Sequence, residues 1–330
     1  MHHHHRHKLL IALSTTTPCK FSTIDLEAPQ DGPTPGRPLP FQVEHERVEI
    51  FLCIRGLVCL RMFNKCNGRI YSDFVLWNPL TSEYKTVSRP NNKECYVTTA
   101  TLFGFYYSCN DYKLLLVTKN HNVYIYSLKS DSWRKLETTQ EDLSLLRPHL
   151  IYGWWEQPVL LNEKLYFKSI EANHIATGNL ISIISFDVKT EKWKKMVAPD
   201  IGNGYYKTSS TILVVRGCIH VYAIYDGESE TNGFVTELWR MDGDGDWTKV
   251  TDTFNRPDCF PLWIALYPLH LTKNGNWVMH LKFYGLKTLY EADLQMHTKK
   301  CVYMYHRDAI VITQRGIYTE TLGINMFKHP

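Results

Sequence analysis

Apolar positions along this chain come in short alternating runs, broken every ten residues or so by polar, glycine-bearing or proline-bearing segments. Val159-Leu160-Leu161-Asn162-Glu163-Lys164-Leu165-Tyr166-Phe167 reads as two strand runs about a polar turn. Thr211 to Tyr222 does the same about Arg216-Gly217, and Leu269 to Met279 about Asn274-Gly275, a dipeptide that favours tight hairpins. Alternation with period two places one face of each run in a core and the other in water. A lone hairpin cannot bury its apolar face, so these units must stack on one another.

A second pattern sets the size of the stacked unit. Trp77 to Tyr84, Tyr126 to Trp133 and Phe186 to Trp193 each run from one aromatic to the next in seven residues, through a polar stretch, with a basic residue following. Trp239 to Trp247 is one residue longer, and Tyr290 to Cys301 is a weaker fifth copy. The anchors Tyr84, Trp133, Trp193, Trp247 and Cys301 are spaced 49, 60, 54 and 54 apart. Periods near 50 belong to kelch-like propeller blades of four strands. The charged turn then joins the third strand to the outermost one. Its Ser, Asp and Lys occupy a solvated bend, and its second aromatic packs back to seal the gap to the next blade.

The two ends complete the pattern. Ala309 to Tyr318 reads as a hairpin lacking an outer partner, and Cys19 to Leu26 as a strand lacking a hairpin. Joined, with Phe21–Leu26 paired to the blade that contains Ile310–Tyr318, they predict a sixth blade and remove the free sheet edges. The expectation is an all-β, kelch-like β-propeller of six four-stranded blades, closed by N- and C-terminal strands. Residues 1–18 are expected as a flexible tail, 19–322 as the propeller domain and 323–330 as a C-terminal tail. The Pro/Gly-rich segment 28–40 reads as a loop.

Composition narrows the function. Apolar residues make up 44% of 330, enough for a core, and 37 basic against 33 acidic residues leave only +4, with no clustered basic face to argue for nucleic acid. No apolar run approaches the ~20 residues of a membrane-spanning helix, so no membrane partner is expected. The nine cysteines include no C-x-x-C pair and read as small buried hydrophobes of a reducing compartment, which places the chain in the cytoplasm, the nucleus or both. His2-His3-His4-His5 and His7 have the imidazoles to bind a metal, but they read as a polar, frayed terminus.

No catalytic constellation emerges: there is no G-x-S-x-G, H-E-x-x-H or P-loop. Asp242-Gly243-Asp244-Gly245-Asp246 has the alternating oxygens of a calcium loop, but its twelfth position is Thr253, not the bidentate glutamate such a loop requires. Asp111, Asp226, Glu228 and Glu230 are candidates for a glycosidase pair, weighed against solvated loop acids. No catalytic residue, metal ligand or cofactor is assigned. Partner-binding candidates are the paired aromatics beside glycine, Trp154, Trp155, Tyr205 and Tyr206, since exposed Trp and Tyr anchor protein interfaces. The competing reading has one of each pair packed between blades.

RGLVCL (55–60), DFVLWNPLTSEYKTV (73–87), GFYYSCNDYKLLLV (104–117), VYIYSLKSDSWRKL (123–136), PVLLNEKLYF (158–167) and IISFDVKTEKWKKM (183–196) together resemble the associated domain of plant F-box proteins, of the F-box/kelch-like and S-locus kind. The resemblance runs from about Phe21 to Tyr318. It implies a non-catalytic domain that captures a substrate protein for an SCF-type ubiquitin ligase, while a preceding F-box docks to the adaptor. The F-box pattern, Leu-Pro followed by three amphipathic helices, is not seen: Leu39-Pro40 leads through Phe41-Gln42-Val43-Glu44-His45-Glu46 into the first-blade strand. MHHHHRHKLLI resembles the segment that follows an F-box. Adaptor binding is therefore expected only where the full gene product carries one, and the substrate protein is unidentified. The alternative function is a sugar-binding or glycoside-processing propeller, which would gather convergent polar groups in a central funnel.

Overall fold

A computed structural model describes residues 7–13, 20–41, 47–66, 69–88, 90, 102–118, 120–151, 158–171, 180–199, 201, 207–226, 234–243, 245–251, 265–283, 286–293, 298–305, 309–310 and 317–319. The chain divides into two compact units, one of Met1–Tyr96 with Leu266–Pro330 and one of Val97–Ala265.

The first unit holds two four-stranded antiparallel meanders. One is β4 (Arg47–Ile54), β5 (Leu57–Cys66), β6 (Arg69–Trp77) and β7 (Tyr84–Val87); the other is β20 (Ala265–Leu271), β21 (Trp277–Phe283), β22 (Leu286–Asp293) and β23 (Thr298–Tyr305). Its third sheet gathers the chain ends: β1 (His7–Leu13), β2 (Lys20–Asp25), β3 (Arg37–Pro38), β24 (Ala309–Ile310) and β25 (Ile317–Thr319). The second unit holds three more meanders. They are β8 (Leu102–Ser108) to β11 (Ser132–Leu136) through β9 (Asp111–Val117) and β10 (Val123–Ser127); β12 (Val159–Leu161) to β15 (Trp193–Met196) through β13 (Lys164–Glu171) and β14 (Leu180–Asp187); and β16 (Lys207–Val215) to β19 (Trp247–Thr251) through β17 (Cys218–Asp226) and β18 (Phe234–Met241).

This is the all-β propeller architecture, with five regular four-stranded blades instead of the six expected. The terminal sheet departs from the prediction in two ways. Residues 7–13, assigned to the tail, are a strand whose apolar Leu9 and Leu10 are buried. That strand lies between the segments expected to pair directly. β2 pairs with β1 throughout, and β24 and β25 each pair with β1 rather than forming a hairpin with each other. The five-residue apolar block Leu9–Leu13 lies within this strand. Leu10 and Phe21 enter one buried cluster with Val48, Ile50, Leu60 and Trp77, and Phe21 meets Trp77 edge-on at 4.4 Å. The turn after β2 is pinned to β20 and to the loop that follows it: His270 Nε2 lies 3.0 Å from Glu27 Oε1, and the Lys273 amide donates to Glu27 Oε2 at 3.0 Å.

Tight turns join the first and second strands of the blades. Arg55-Gly56, Cys109-Asn110, Asn162-Glu163 and Arg216-Gly217 each carry two consecutive positive φ angles between paired strand ends, the conformation that matches strand twist. Asn274-Gly275 differs from the two-residue turn its sequence suggests. The loop runs from Thr272 to Asn276, closed by Thr272 N–H donating to Asn276 O at 2.8 Å, with Gly275 alone at positive φ of 87°. The Thr272 hydroxyl accepts from the Asn276 amide at 3.0 Å, which holds the wider loop.

The charged turns share one construction. Trp77 faces Tyr84, Tyr126 faces Trp133 and Phe186 faces Trp193 across the third and outer strands. The fifth turn residue lies at positive φ each time: Ser82 at 62°, Asp131 at 49° and Glu191 at 58°. Asn78 Oδ1 accepts from the Leu80 and Thr81 amides, and Asp187 Oδ1 from the Lys189 and Thr190 amides. Tyr290 faces Cys301 as the fifth copy requires. The fourth copy pairs differently: Met241 faces Trp247, and Trp239 faces Lys249 past a bulge.

One helix went unpredicted. α1 (Gln140–Ile151) follows β11. Thr139 and Asp142 cap it reciprocally: the Asp142 amide donates to Thr139 Oγ1 at 3.1 Å and the Thr139 amide donates to Asp142 Oδ2 at 2.8 Å. That is a capping box with Asp in the third position. Among the described residues no helix is long and apolar enough to cross a membrane.

Candidate functional site

Two of the acidic residues that suggested chemistry, Asp111 and Asp242, serve turns. Asp111 Oδ2 accepts from the Ser127 hydroxyl at 2.6 Å and its Oδ1 from the Lys129 amide at 2.9 Å. In this blade a carboxylate from β9 thus does what Asn78 and Asp187 do for their own turns. Asp242, first in the suspected calcium loop, closes a turn through its amide, which donates to Asp246 O at 2.8 Å. Its carboxylate accepts from Thr248 Oγ1 at 2.5 Å and Arg240 Nε at 3.2 Å. The threonine hydroxyl, then the guanidinium, hold it below the usual carboxylate range. Asp226 ends β17 opposite Phe234, while Glu228, Glu230 and Asp244 lie outside the described residues.

Two phenols are pushed up out of the physiological range, chiefly by burial. Tyr126 also donates to Asp131 Oδ1 at 2.6 Å, which favours its protonated form. Tyr106 is packed edge-on to Phe186. Both behave as neutral packing groups. Arg134 and Glu191 form an ion pair from β11 to the β14–β15 turn, and Lys189 pairs with Glu163 at 2.6 Å. Such exposed pairs contribute little stability but fix the charge pattern of the turn surface.

The partner-binding residues predicted from sequence, Trp154, Trp155, Tyr205 and Tyr206, lie outside the described residues. By chain position the first two follow α1 and precede β12, and the others fall between β15 and β16.

Next to the second pair in the chain, the second unit presents an apolar seam. Tyr166, Ile183, Ile212 and Val221 lie in one buried cluster, joining the β12–β15 and β16–β19 sheets. Met196, Ala198, Ile201, Trp239, Met241 and Trp247 pack over it, half-buried. The Trp247 indole N–H donates to Val197 O at 2.8 Å. This holds the backbone beneath Val197, whose own side chain is 77% exposed. Trp247 therefore seals toward the preceding sheet, not the next one. Trp239 Nε1 donates to Glu237 Oε2 at 2.9 Å, and Lys249 Nζ lies 2.7 Å from Glu237 Oε1 and 5.9 Å from the Trp239 ring centroid. The buried Glu237 carboxylate is thus neutralised where it stands. Val250, the bulge residue, faces no cross-strand partner and is exposed. Lys194 and Lys195 of β15 are exposed.

The sequence signal for this seam was present in the apolar triplet Val197-Ala198-Pro199 after WKKM. A cavity among Leu10, Phe21, Leu39, Val48, Ile50 and Trp77 measures about 10 Å³, far below the few hundred Å³ of a small-molecule site.

A profile of the F-box associated beta propeller domain matches residues 38–316. The chain belongs to this family. A probable F-box protein of Arabidopsis thaliana is 27% identical over 204 residues, covering 59% of this chain and 44% of that protein. An F-box/kelch-repeat protein of the same plant is 25% identical over 203 residues, covering 58% of this chain and 49% of that protein. The chain spans about half the length of the curated relatives it matches. Among solved structures, hydrazine synthase of Kuenenia stuttgartiensis superimposes with a TM-score of 0.50 at 10% identity, covering 92% of this chain and 46% of that one, a likeness of fold alone.

Proposed function

We propose that this F-box associated propeller is the substrate-recognition module of an SCF-type E3 ubiquitin ligase. In this reading it is a non-catalytic domain that holds a partner protein for ubiquitination. The match to the family over 38–316 carries the reading. The use of Asp111 as a turn anchor supports it over a glycosidase built on that carboxylate, because both its oxygens accept hydrogen bonds from the Ser127–Lys129 turn. We place the protein in the cytoplasm or nucleus, where Cys53, Cys59, Cys109 and Cys218, all unbridged, would stay reduced.

The test separates the two halves of the role. Titrated directly, the chain as given is expected not to bind the SCF adaptor; with an F-box segment fused ahead of it, binding should appear. The fusion point belongs before His7, since β1 starts there and a junction at Leu9 would cut the strand. Partner proteins are then identified by affinity capture and mass spectrometry on the fused chain, followed by reconstituted ubiquitination. Tight adaptor binding by the unfused chain, or no ubiquitinated partner with the fused one, would overturn the proposal.

A further inference from the structure

We draw no further inference here: the strongest candidate, the side-chain cluster of His7, Glu27 and His270 where the terminal sheet meets β20, carries nothing, because both Glu27 oxygens already hold the turn after β2 in place and no group of three metal-ligating side chains is assembled among the described residues.

Discussion

The turns Asn78–Tyr84 and Asp187–Trp193 have almost the same backbone and opposite fates for their second aromatic. Each is closed by one first-residue amide: Asn78 N–H to Glu83 O at 2.9 Å, and Asp187 N–H to Lys192 O at 3.0 Å. Each side chain gathers two amides, and each turn has one residue at positive φ near 60°. Yet Tyr84 is 44% exposed, touching Phe41 at 4.9 Å, while Trp193 is 7% exposed between Phe186 at 4.8 Å and Phe167 at 5.6 Å. Local hydrogen bonding builds the bend in both. Whether the aromatic is buried depends on the residues that face it from the rest of its sheet and the adjoining one, and those are not encoded in the turn.

The sharpest way to break the comparison is truncation. Trp193→Ala should cost about 3–5 kcal/mol, read as a fall in the urea midpoint. A variant that melts like wild type would show the ring to be solvated after all. Next comes the neighbour that makes the second unit tight. A Cβ on Gly104 would lie 2.6 Å from Leu165 Cδ1 and 3.3 Å from Leu115 Cβ, and both leucines are buried. Gly104→Ala is therefore expected to destabilise by about 1–3 kcal/mol, and that cost should shrink when it is measured in a Leu165→Ala background by a double-mutant cycle.

A third variant tests the shared bend. Asp187 is held below the usual carboxylate range chiefly by the Thr190 amide, against a smaller opposing effect of burial. Its folded pKa is thus lower than its unfolded one, so the unfolded chain binds the proton more readily. The stabilisation is present above the ordinary carboxylate pKa and is lost as pH falls through the folded value. Asp187→Asn keeps the acceptor, as Asn78 does naturally, but not the charge; it should lower neutral-pH stability slightly and flatten the acid-side loss. Denaturant titrations of both proteins across the acid range would show it; parallel curves would mean that the charge contributes nothing. The smallest effect is expected at Tyr84→Ala, about 0.5 kcal/mol or less, and a large loss there would mean that the Phe41 contact is part of a core.

The legible part of the site was smaller than the legible part of the fold. Alternation found the hairpins at Arg216-Gly217 and Asn162-Glu163 because those runs are long and regular. It missed β1, since the apolar stretch Leu9–Leu13 follows a histidine run; β2, its partner on one side, is next in the chain, but β24 and β25 on the other side come from the far end of the sequence. The helix was missed although Thr139 and Asp142 announce its start, because Pro148 argues against a helical interior. The seam at Val197 and Trp247 joins residues fifty apart, a closeness no local window contains.

By itself the sequence determined the period, the strand count within a regular blade and the chemistry of each turn. These are set within a few residues by side-chain acceptors, positive-φ positions and alternation. Tertiary structure decided the rest. It reduced six regular blades to five by inserting β1 between the two terminal segments, where the apolar faces of Leu9 and Leu10 could be buried. It also sorted equivalent aromatics into a core residue, an exposed ring and a half-buried anchor. Burial is a property of what arrives from elsewhere in the chain, and only packing between sheets supplies that.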